Sequence, residues 1–175
     1  MREVIILNYE MGNLISVKNI FEYLGCKTTI TSKYNDIKNF SHIILPGVGA
    51  FKQAMDNLKK LNLRDEILEQ VNMKEKKILG ICLGMQILGS SSTENGFSEG
   101  LNLISNKVEK FDTSKFKALN FPHVGFNNIK VVSNKNGFFK DISISDNFYF
   151  NHDYRMLLDE FNHDYATCHY GEIFL

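Results

Sequence analysis

The chain has 175 residues, enough for one sizeable hydrophobic core, and its 43% hydrophobic and 23% charged residues are typical of soluble globular proteins. Lys plus Arg equals Asp plus Glu at 20 each, so no net charge favours nucleic acid or an anionic membrane. No uncharged apolar run approaches the ~20 residues of a membrane span, and the three cysteines match neither a zinc site nor a disulfide framework. We therefore expect a cytoplasmic protein with reduced thiols.

The first half of the chain alternates short apolar runs with helical patterns. The runs predict strands over residues 4–7, 27–31, 42–45 and 77–81. Apolar residues at helical spacing predict a helix over 14–24 that Gly25 ends. A stretch rich in Lys, Asp, Glu and Leu predicts a second helix over 51–73, and a helical start is predicted over 83–88. Strands that alternate with helices and read as continuous apolar runs form parallel sheets covered on both faces. The predicted fold class is α/β, a doubly wound, mostly parallel sheet with helices on both faces.

The second half of the chain has a different character. Residues 90–96 are rich in turn formers, and the later apolar runs alternate with polar residues as antiparallel strands do. The candidate strands cover residues 104–111, 126–132, 147–152 and 165–170. Neither an internal repeat nor an interdomain linker is visible. We expect residues 1–175 to form a single domain, whose second half extends the same sheet and adds a small antiparallel layer.

The segment Gly80-Ile81-Cys82-Leu83-Gly84 carries the sharpest chemical signal, because it places a G-x-C-x-G turn between a strand and a helix. This is the form of a nucleophile elbow with sulfur in place of the serine oxygen. A strained turn would project the cysteine above the sheet, and the glycines leave room for neighbouring backbone. The helix start would favour the thiolate, and the Leu83 N–H would face a developing oxyanion. An isolated cysteine is more often a small buried residue, but this pattern predicts that Cys82 is a nucleophile.

The turn Pro46-Gly47-Val48-Gly49 follows another apolar strand. The C-terminal ends of parallel strands share one edge of a sheet, so this turn should stand beside Cys82. Its backbone N–H groups could then supply the second half of an oxyanion hole. Taken alone, the turn would be an ordinary strand-to-helix connection.

Five blocks of sequence together resemble the glutamine amidotransferase subunit of imidazole glycerol phosphate synthase, a class I glutamine amidotransferase. In chain order, the blocks are Asn8 to Leu14 with Ser16-Val17 behind it, Pro46 to Phe51, Gly80 to Gln86, Pro122 to Asn127, and Phe148 to Tyr154. They run in family order and cover most of the chain. The cysteine elbow alone would fit every class I amidotransferase, whereas the blocks together are specific.

The resemblance implies that glutamine is hydrolysed to glutamate and ammonia through a γ-glutamyl thioester on Cys82. It assigns the oxyanion hole to the backbones of Gly49 and Leu83. The substrate-binding residues that it implies are Gly47, Gln86, His152, Asp153 and Tyr154. Ammonia would pass to a (β/α)8-barrel synthase or cyclase subunit docked on Asn13, Pro122, His123, Gly125, Phe126 and Asn127. No metal or organic cofactor is expected, and neither nucleic acid nor a membrane is an expected partner.

Three features of the sequence depart from the family pattern. The family usually has Trp where Phe126 stands and Ser or Thr where Asp153 stands. Its catalytic base comes from a C-terminal His-Pro-Glu segment, and no histidine of this sequence precedes a proline. We expect that the sequence is truncated before that segment and that the 175-residue chain cannot hydrolyse glutamine at a useful rate, whereas a version extended through the segment can do so once bound to its synthase partner. His169 and His152 are the first histidines to test as an alternative base.

Three other hypotheses stay open at this point. A paralogous subunit that supplies ammonia for nucleotide-sugar or surface-glycan synthesis would share the same blocks. A binding-only subunit would keep the fold and the interface without turnover. An unrelated cysteine hydrolase would share the elbow, but it would not need the blocks at Asn8 to Leu14 and Pro122 to Asn127.

Overall fold

A computed structural model describes residues 2–134, 137–143, 145–159, 161 and 163–175. The chain divides into two compact units, Met1–Ser105 and Asn106–Leu175. Within the described ranges, no helix combines the length and the apolar content that a bilayer crossing requires.

The first unit alternates strands and helices. Its strands are β1 (Glu3–Leu7), β2 (Lys27–Thr31), β3 (His42–Gly47), β4 (Lys77–Cys82), β5 (Ser91–Ser92) and β6 (Ser98–Glu99). Its helices are α1 (Leu14–Tyr23), α2 (Tyr34–Ile37), α3 (Phe51–Lys60), α4 (Leu63–Asn72) and α5 (Leu83–Gln86). The first four strands form a parallel sheet in the order β2-β1-β3-β4, and β5 pairs with β6 in antiparallel fashion. The α/β class predicted from the sequence is confirmed.

Burial on both faces of the parallel sheet explains its continuous apolar strands. Val4, Ile6 and Ile44 form one buried cluster, against which the partly buried apolar side chains of α1 pack. Side chains alternate between the two faces of a strand, so Ile5 and Ile43 point to the opposite face, where they are also fully buried. Each additional buried aliphatic side chain stabilises the fold by roughly 1.5–3 kcal/mol relative to exposure. Both faces of β1 and β3 therefore contribute to the core.

The structure corrects three boundaries in the first unit. The helix predicted over residues 51–73 is two helices, because Asn62 adopts a left-handed φ of 55° that no α-helix accommodates. The helical start predicted over 83–88 is the four-residue α5, which ends where the Leu88 and Gly89 N–H groups bond to carbonyls three residues back. Strand β3 also continues through Pro46 and Gly47, which the sequence had placed in a turn.

The second unit is built from antiparallel strands. They are β7 (Val108–Lys110), β8 (His123–Asn128), β9 (Lys130–Ser133), β10 (Asn147–His152), β11 (Tyr154–Met156), β12 (Tyr165–Tyr170) and β13 (Glu172–Phe174). Strand β8 pairs with β10, β7 with β11, and β12 with both β9 and β13. Phe111, Cys168 and Phe174 form a buried cluster that is surrounded by further aromatic side chains.

Three predictions for the second half of the chain are corrected. The strand predicted over 126–132 is divided at Ile129 into β8 and β9, and the one predicted over 104–111 covers only Val108–Lys110. Among the described residues, the parallel sheet contains only β1 to β4, so the second half does not extend it. Buried and exposed residues alternate along β8. This alternation is typical of a strand with one solvent-exposed face, and not of a strand inside a parallel sheet.

Candidate active site

Cys82 lies where β4 ends and α5 begins, as the elbow pattern predicts. Its backbone has φ 55° and ψ −118°, a conformation that residues other than glycine rarely adopt. Such strain persists only where the surrounding structure imposes it, and it is concentrated at functional sites. Cys82 is exposed, whereas Cys26 is partly buried and Cys168 is buried. The elbow therefore presents one thiol to solvent on a strained backbone.

The two glycines that flank the cysteine are both required by close backbone contacts. A Cβ at Gly80 would lie 2.6 Å from the carbonyl oxygen of Gly84 and 2.6 Å from the backbone of Met85. A Cβ at Gly84 would collide with the carbonyl oxygen of Leu45 on β3. The helix after the nucleophile thus packs directly on the backbone of the neighbouring strands, with no side chain between them.

The Pro46 to Gly49 segment stands beside the nucleophile. In the β3–β4 ladder Pro46 pairs with Ile81 and Gly47 pairs with Cys82. Gly49, just beyond the strand, has a φ of 111°, which favours glycine. The predicted placement of this segment at the same sheet edge as Cys82 is confirmed, and its role in an oxyanion hole stays a prediction.

The loop after β1 reaches the same edge of the sheet. A Cβ on Gly12 would be 3.6 Å from the Cα of Gly47, so the two backbones are in contact. The Asn13 side chain accepts a hydrogen bond from the Ser16 N–H at 3.3 Å and caps α1. The sheet order reverses between β1 and β3, and ligands of α/β sheets bind beyond the carboxyl ends of the strands at such a point. The loop, the Pro46 to Gly49 segment and Cys82 therefore mark the candidate site.

Sequence reasoning did not single out Tyr9, which lies beneath this edge. Its side chain is fully buried, and only the absence of a Cβ on Gly47 leaves space for its hydroxyl. Its carbonyl accepts a hydrogen bond from the Asn57 side chain at 2.9 Å, which ties the loop to α3. Burial, and secondarily the nearby Cys82, raise the pKa of the Tyr9 phenol above its usual range. The signal available in the sequence was an aromatic residue inside a loop of small and polar residues.

The backbone also positions the other predicted groups of the first unit. Leu83 is the first residue of α5, so its N–H has no acceptor within the helix. Gln86, the last residue of α5, is partly buried. Because α5 has only four residues, its dipole is a smaller aid to the thiolate than the sequence suggested. The strain at Cys82 and the neighbouring backbone N–H groups are the more substantial features.

His42 is the one histidine of the first unit, and it is not placed to act as the base. It begins β3 and pairs with Lys77 at the start of β4, whereas Cys82 is at the end of that strand. At about 3.3 Å per residue, this places the two side chains roughly 16 Å apart along the strands. The His42 ring is hydrogen-bonded to the Ser41 hydroxyl at 2.8 Å.

In the second unit, the predicted substrate residues join two strands. His152 ends β10, Tyr154 begins β11, and the Asp153 carbonyl accepts a bond from the Phe111 N–H at 3.1 Å. The His152 Nδ1 lies 2.8 Å from the Tyr154 carbonyl oxygen. His152 also contacts His123 on the paired strand, with 2.9 Å between Nε2 of His152 and Nδ1 of His123. The substrate segment is thus linked by side chains to the predicted partner segment.

Both of these imidazoles are held in their neutral form. Burial, and secondarily the neighbouring His152, lower the pKa of His123 to about 4. Burial also lowers the pKa of His152, and the hydrogen bond to the Tyr154 carbonyl opposes that shift. Neither ring is therefore charged at pH 7.

We predict that this pair makes the fold sensitive to acid. The unfolded chain binds a proton at each ring near pH 6.5, whereas folded His123 resists protonation down to about pH 4. The free energy of unfolding should therefore fall as the pH drops from about 6.5 to 4, by roughly 1–3 kcal/mol. Urea unfolding across this range measures the effect. A His123→Gln variant should lose much of the dependence and His163→Gln should retain it, and an identical dependence in both variants would contradict the assignment.

The predicted partner segment contains both exposed and buried residues. Phe126 is 71% exposed, and its ring packs edge-on against that of Tyr149, which is 58% exposed, at 5.2 Å between centroids. Pro122 follows a cis peptide bond, and Gly125 has a φ of 144°. His123 is only 1% exposed, so its side chain does not offer the direct partner contact that the sequence predicted. No group of three or more potential metal ligands occurs among the described residues.

Comparison with known proteins shows the family of the chain. The family model for "Glutamine amidotransferase class-I" matches residues 5–170. The imidazole glycerol phosphate synthase subunit HisH of Sulfurimonas denitrificans is 40% identical over 169 residues, which are 96% of this chain and 80% of the relative. The protein of the same name from Caldanaerobacter subterraneus is 40% identical over 166 residues, 95% of this chain and 79% of that protein.

Solved structures support the fold. A crystal structure titled as a glutamine amidotransferase superimposes with a TM-score of 0.67 at 14% identity, over 87% of this chain and 72% of that one. At this identity the likeness shows the fold alone. The family model and the HisH relatives span nearly the whole chain, including the segment that carries the exposed Cys82. The chain therefore belongs to the class-I glutamine amidotransferase family and, within it, to the glutamine amidotransferase subunits of imidazole glycerol phosphate synthase.

Proposed function

We propose that the chain hydrolyses glutamine and supplies the ammonia to a synthase partner for the formation of imidazole glycerol phosphate in histidine biosynthesis. The observation that carries this proposal is the exposed Cys82 on its strained elbow, with Gly47 as its partner in the β3–β4 ladder. The relatives named as HisH subunits support the choice of acceptor over nucleotide-sugar or glycan synthesis.

In the proposed reaction, the Cys82 sulfur attacks the side-chain carbonyl carbon of glutamine. The carbonyl oxygen becomes an oxyanion, which accepts hydrogen bonds from the backbone N–H groups of Leu83 and Gly49. The intermediate then expels ammonia and leaves a γ-glutamyl thioester, which water hydrolyses to glutamate. A general base takes the thiol proton and returns it to the leaving nitrogen, a step that the family resemblance assigns to a His-Pro-Glu segment.

Substrate recognition is proposed for two groups of residues. Gly47 and Gln86 lie on the elements that flank Cys82, and Gly47 keeps the strand beside the thiol free of a side chain. His152, Asp153 and Tyr154 form the junction of β10 and β11, whose backbone would hold the amino-acid end of glutamine. The hydrogen bond from His152 to the Tyr154 carbonyl fixes the direction of that backbone.

The proposed partner is a (β/α)8-barrel synthase subunit that docks near Asn13 and the Pro122 to Asn127 segment. The exposed Phe126 and Tyr149 pair supports this surface, because aromatic residues are enriched at the centres of interfaces. Val124, 52% exposed, lies next to them on the same face of the strand.

The experiment that tests the function measures release of glutamate and ammonia from glutamine by the 175-residue chain and by a version extended through a His-Pro-Glu segment, each alone and with the synthase subunit. We expect turnover from the extended version in the complex, and formation of imidazole glycerol phosphate with glutamine as the nitrogen donor. A complex that assembles but releases no glutamate would favour the binding-only subunit. Turnover that the partner does not change would contradict the proposed coupling to a synthase subunit.

We predict that Phe126→Ala weakens the complex. Truncation of a central aromatic anchor typically costs about 2 kcal/mol, so Kd for the synthase subunit should rise roughly thirtyfold. Isothermal titration calorimetry measures this value. Phe138→Ala is a matched control, since Phe138 is 74% exposed but lies outside the proposed surface. Equal Kd values for the two variants would remove Phe126 from the interface.

A further inference from the structure

Tyr9 carries a buried hydroxyl group that has no hydrogen-bond partner among the described residues. The whole side chain is buried, so solvent does not reach the Oη atom. An unpaired buried hydroxyl destabilises a fold, and phenylalanine would fill nearly the same space without that penalty. Because such groups are rare in native proteins, each calls for an explanation, and a catalytic role is one of the common ones.

The hydroxyl lies against the strand and the helix that carry the proposed reaction. A Cβ on Gly47 would collide with the Tyr9 Oη, and it would lie 3.1 Å from both the Cβ of Leu83 and the backbone nitrogen of Gly84. Gly47 is also the partner of Cys82 in the β3–β4 ladder. Paired strands are about 4.8 Å apart, so the hydroxyl lies within roughly 9 Å of the Cα atom of Cys82.

The chemistry of these neighbours selects an acceptor for the hydroxyl hydrogen. Leu83 presents a carbon atom and Gly84 an N–H donor, so neither of these two groups can accept it. Burial, and secondarily the nearby Cys82, raise the pKa of the Tyr9 phenol above its usual range, so the hydroxyl keeps its hydrogen. A neutral thiol is a weak acceptor, whereas an ionised group forms much stronger hydrogen bonds. The Tyr9 hydroxyl is therefore suited to the charged form of Cys82.

The phenol is fixed, whereas the thiol is free to move towards it. The Asn57 side chain donates a hydrogen bond to the Tyr9 carbonyl oxygen at 2.9 Å, and both residues are buried. Cys82 is exposed, and rotation about its Cα–Cβ bond moves the sulfur between staggered positions. The sulfur can therefore approach the hydroxyl without a movement of the backbone.

The charged groups that flank the phenol have other partners or lie in solvent. Helix α5 contains no charged residue, and every charged residue of α3 is exposed. Glu10 is exposed and forms an ion pair with Lys60 at 3.6 Å. The Glu94 carboxylate accepts a hydrogen bond from the Phe51 N–H at 2.6 Å. These charges are therefore solvated or bonded elsewhere.

We propose that Tyr9 is a further catalytic residue, whose hydroxyl donates a hydrogen bond to the Cys82 thiolate from the buried side of the elbow. The bond forms only when the sulfur is charged, because the hydroxyl has no partner in the resting site. An interaction that is stronger in the charged state than in the resting state lowers the barrier to the reaction. The inference deepens the proposed function and rests on it, since it needs Cys82 as the nucleophile.

The test measures alkylation of Cys82 by iodoacetamide in the 175-residue chain, with peptide mass mapping to follow that one thiol. Because the thiolate is the reactive form, Tyr9→Phe should slow the reaction at pH 7 roughly tenfold, the factor for one lost hydrogen bond to a charged group. The difference should disappear at alkaline pH, where the thiol ionises without help. Tyr170→Phe is the matched control, since its hydroxyl is bonded to the Asn120 carbonyl oxygen at 2.6 Å, and it should alkylate at the wild-type rate.

Urea unfolding supplies a readout that a merely structural role would reverse. Tyr9→Phe removes an unpaired buried hydroxyl, so the midpoint should rise by roughly 0.5 M. Tyr170→Phe breaks an existing hydrogen bond, so its midpoint should fall. A wild-type alkylation rate in Tyr9→Phe, or a midpoint below that of the wild type, would overturn the proposal.

Turnover separates this inference from the proposed function. In the version extended through a His-Pro-Glu segment and bound to the synthase subunit, Tyr9→Phe should lower kcat roughly tenfold and leave KM for glutamine nearly unchanged. A kcat equal to that of the wild type would also overturn the role of Tyr9. An extended wild type that assembles with the partner but releases no glutamate would instead overturn the proposed function, whereas slower alkylation of Tyr9→Phe would still uphold the hydrogen bond to the thiolate.

Discussion

Replacement of Cys82 by serine, in the version extended through a His-Pro-Glu segment, should abolish glutamine hydrolysis in the complex without unfolding the protein. The hydroxyl is a far weaker nucleophile than the thiolate, and loss of a catalytic nucleophile costs roughly 10⁴–10⁶-fold in kcat. The side chain at this exposed position has few packing contacts to lose, so the free energy of unfolding should change by less than about 1 kcal/mol. Glutamate release and urea unfolding measure the two quantities. Cys26→Ser is the matched control and should keep its activity.

The exposure of each thiol predicts the order in which the three cysteines react. A diazo-ketone analogue of glutamine should alkylate Cys82 first, because it alone of the three cysteines is exposed. Cys168 should react last, since burial hides it and raises the pKa of its thiol. Peptide mass mapping after labelling gives the order. Equal modification of all three cysteines, or residual activity in Cys82→Ser close to that of the wild type, would contradict the assignment of the nucleophile.

Gly84→Ala should be among the most destabilising single substitutions in the chain. In a helix, alanine is normally more stable than glycine by about 1 kcal/mol. Here the added methyl group would collide with the Leu45 carbonyl oxygen, so α5 would have to move away from β3 and the sign of the effect is reversed. We expect a loss of about 3 kcal/mol or more, because the obstacle is backbone and cannot rotate aside.

Gly96→Ala isolates this collision from ordinary glycine effects. Gly96 has a φ of 97°, so any other residue there would have a strained backbone, but an added Cβ would meet nothing within 4 Å. Its replacement should cost only about 1–2 kcal/mol of backbone strain. Urea unfolding of both variants, with activity of the folded fraction, makes the comparison. A Gly84→Ala protein as stable as the Gly96→Ala protein would show that α5 does not rest on the Leu45 backbone.

The fold was predictable where a local pattern decides the structure. The bounds of β2, β10 and β12 agree with the predicted residues, because alternation and apolar runs are properties of short segments. The break at Asn62 was missed, since residues on both sides of it are rich in the helix formers Lys, Glu and Leu, and only the backbone φ of one residue interrupts the helix. Strand pairing in the second half was also missed, because it depends on neighbours that are distant in sequence.

The candidate site, too, could be predicted from the sequence only in part. Cys82 and the Pro46 to Gly49 segment could be placed together because parallel strands end at a common edge. Tyr9 could not be assigned, since its burial follows from the space left beside Gly47. The contact between His123 and His152 spans 29 residues and depends on the register of β8 and β10, which no local pattern reveals.

The pairing of Gly47 with Cys82 has a consequence for how such a site can vary. The spacing between thiol and oxyanion segment is set by the hydrogen-bond ladder of two adjacent strands and by the lengths of those strands. Side chains within β3 and β4 can therefore be exchanged for others of similar volume without moving the reacting groups. Insertion or deletion of one residue in either strand would shift one group past the other by about 3.3 Å and turn the following side chains to the opposite face. Insertions and deletions among related chains should therefore be absent from residues 42–47 and 77–82. They should occur instead in the loops that precede these strands.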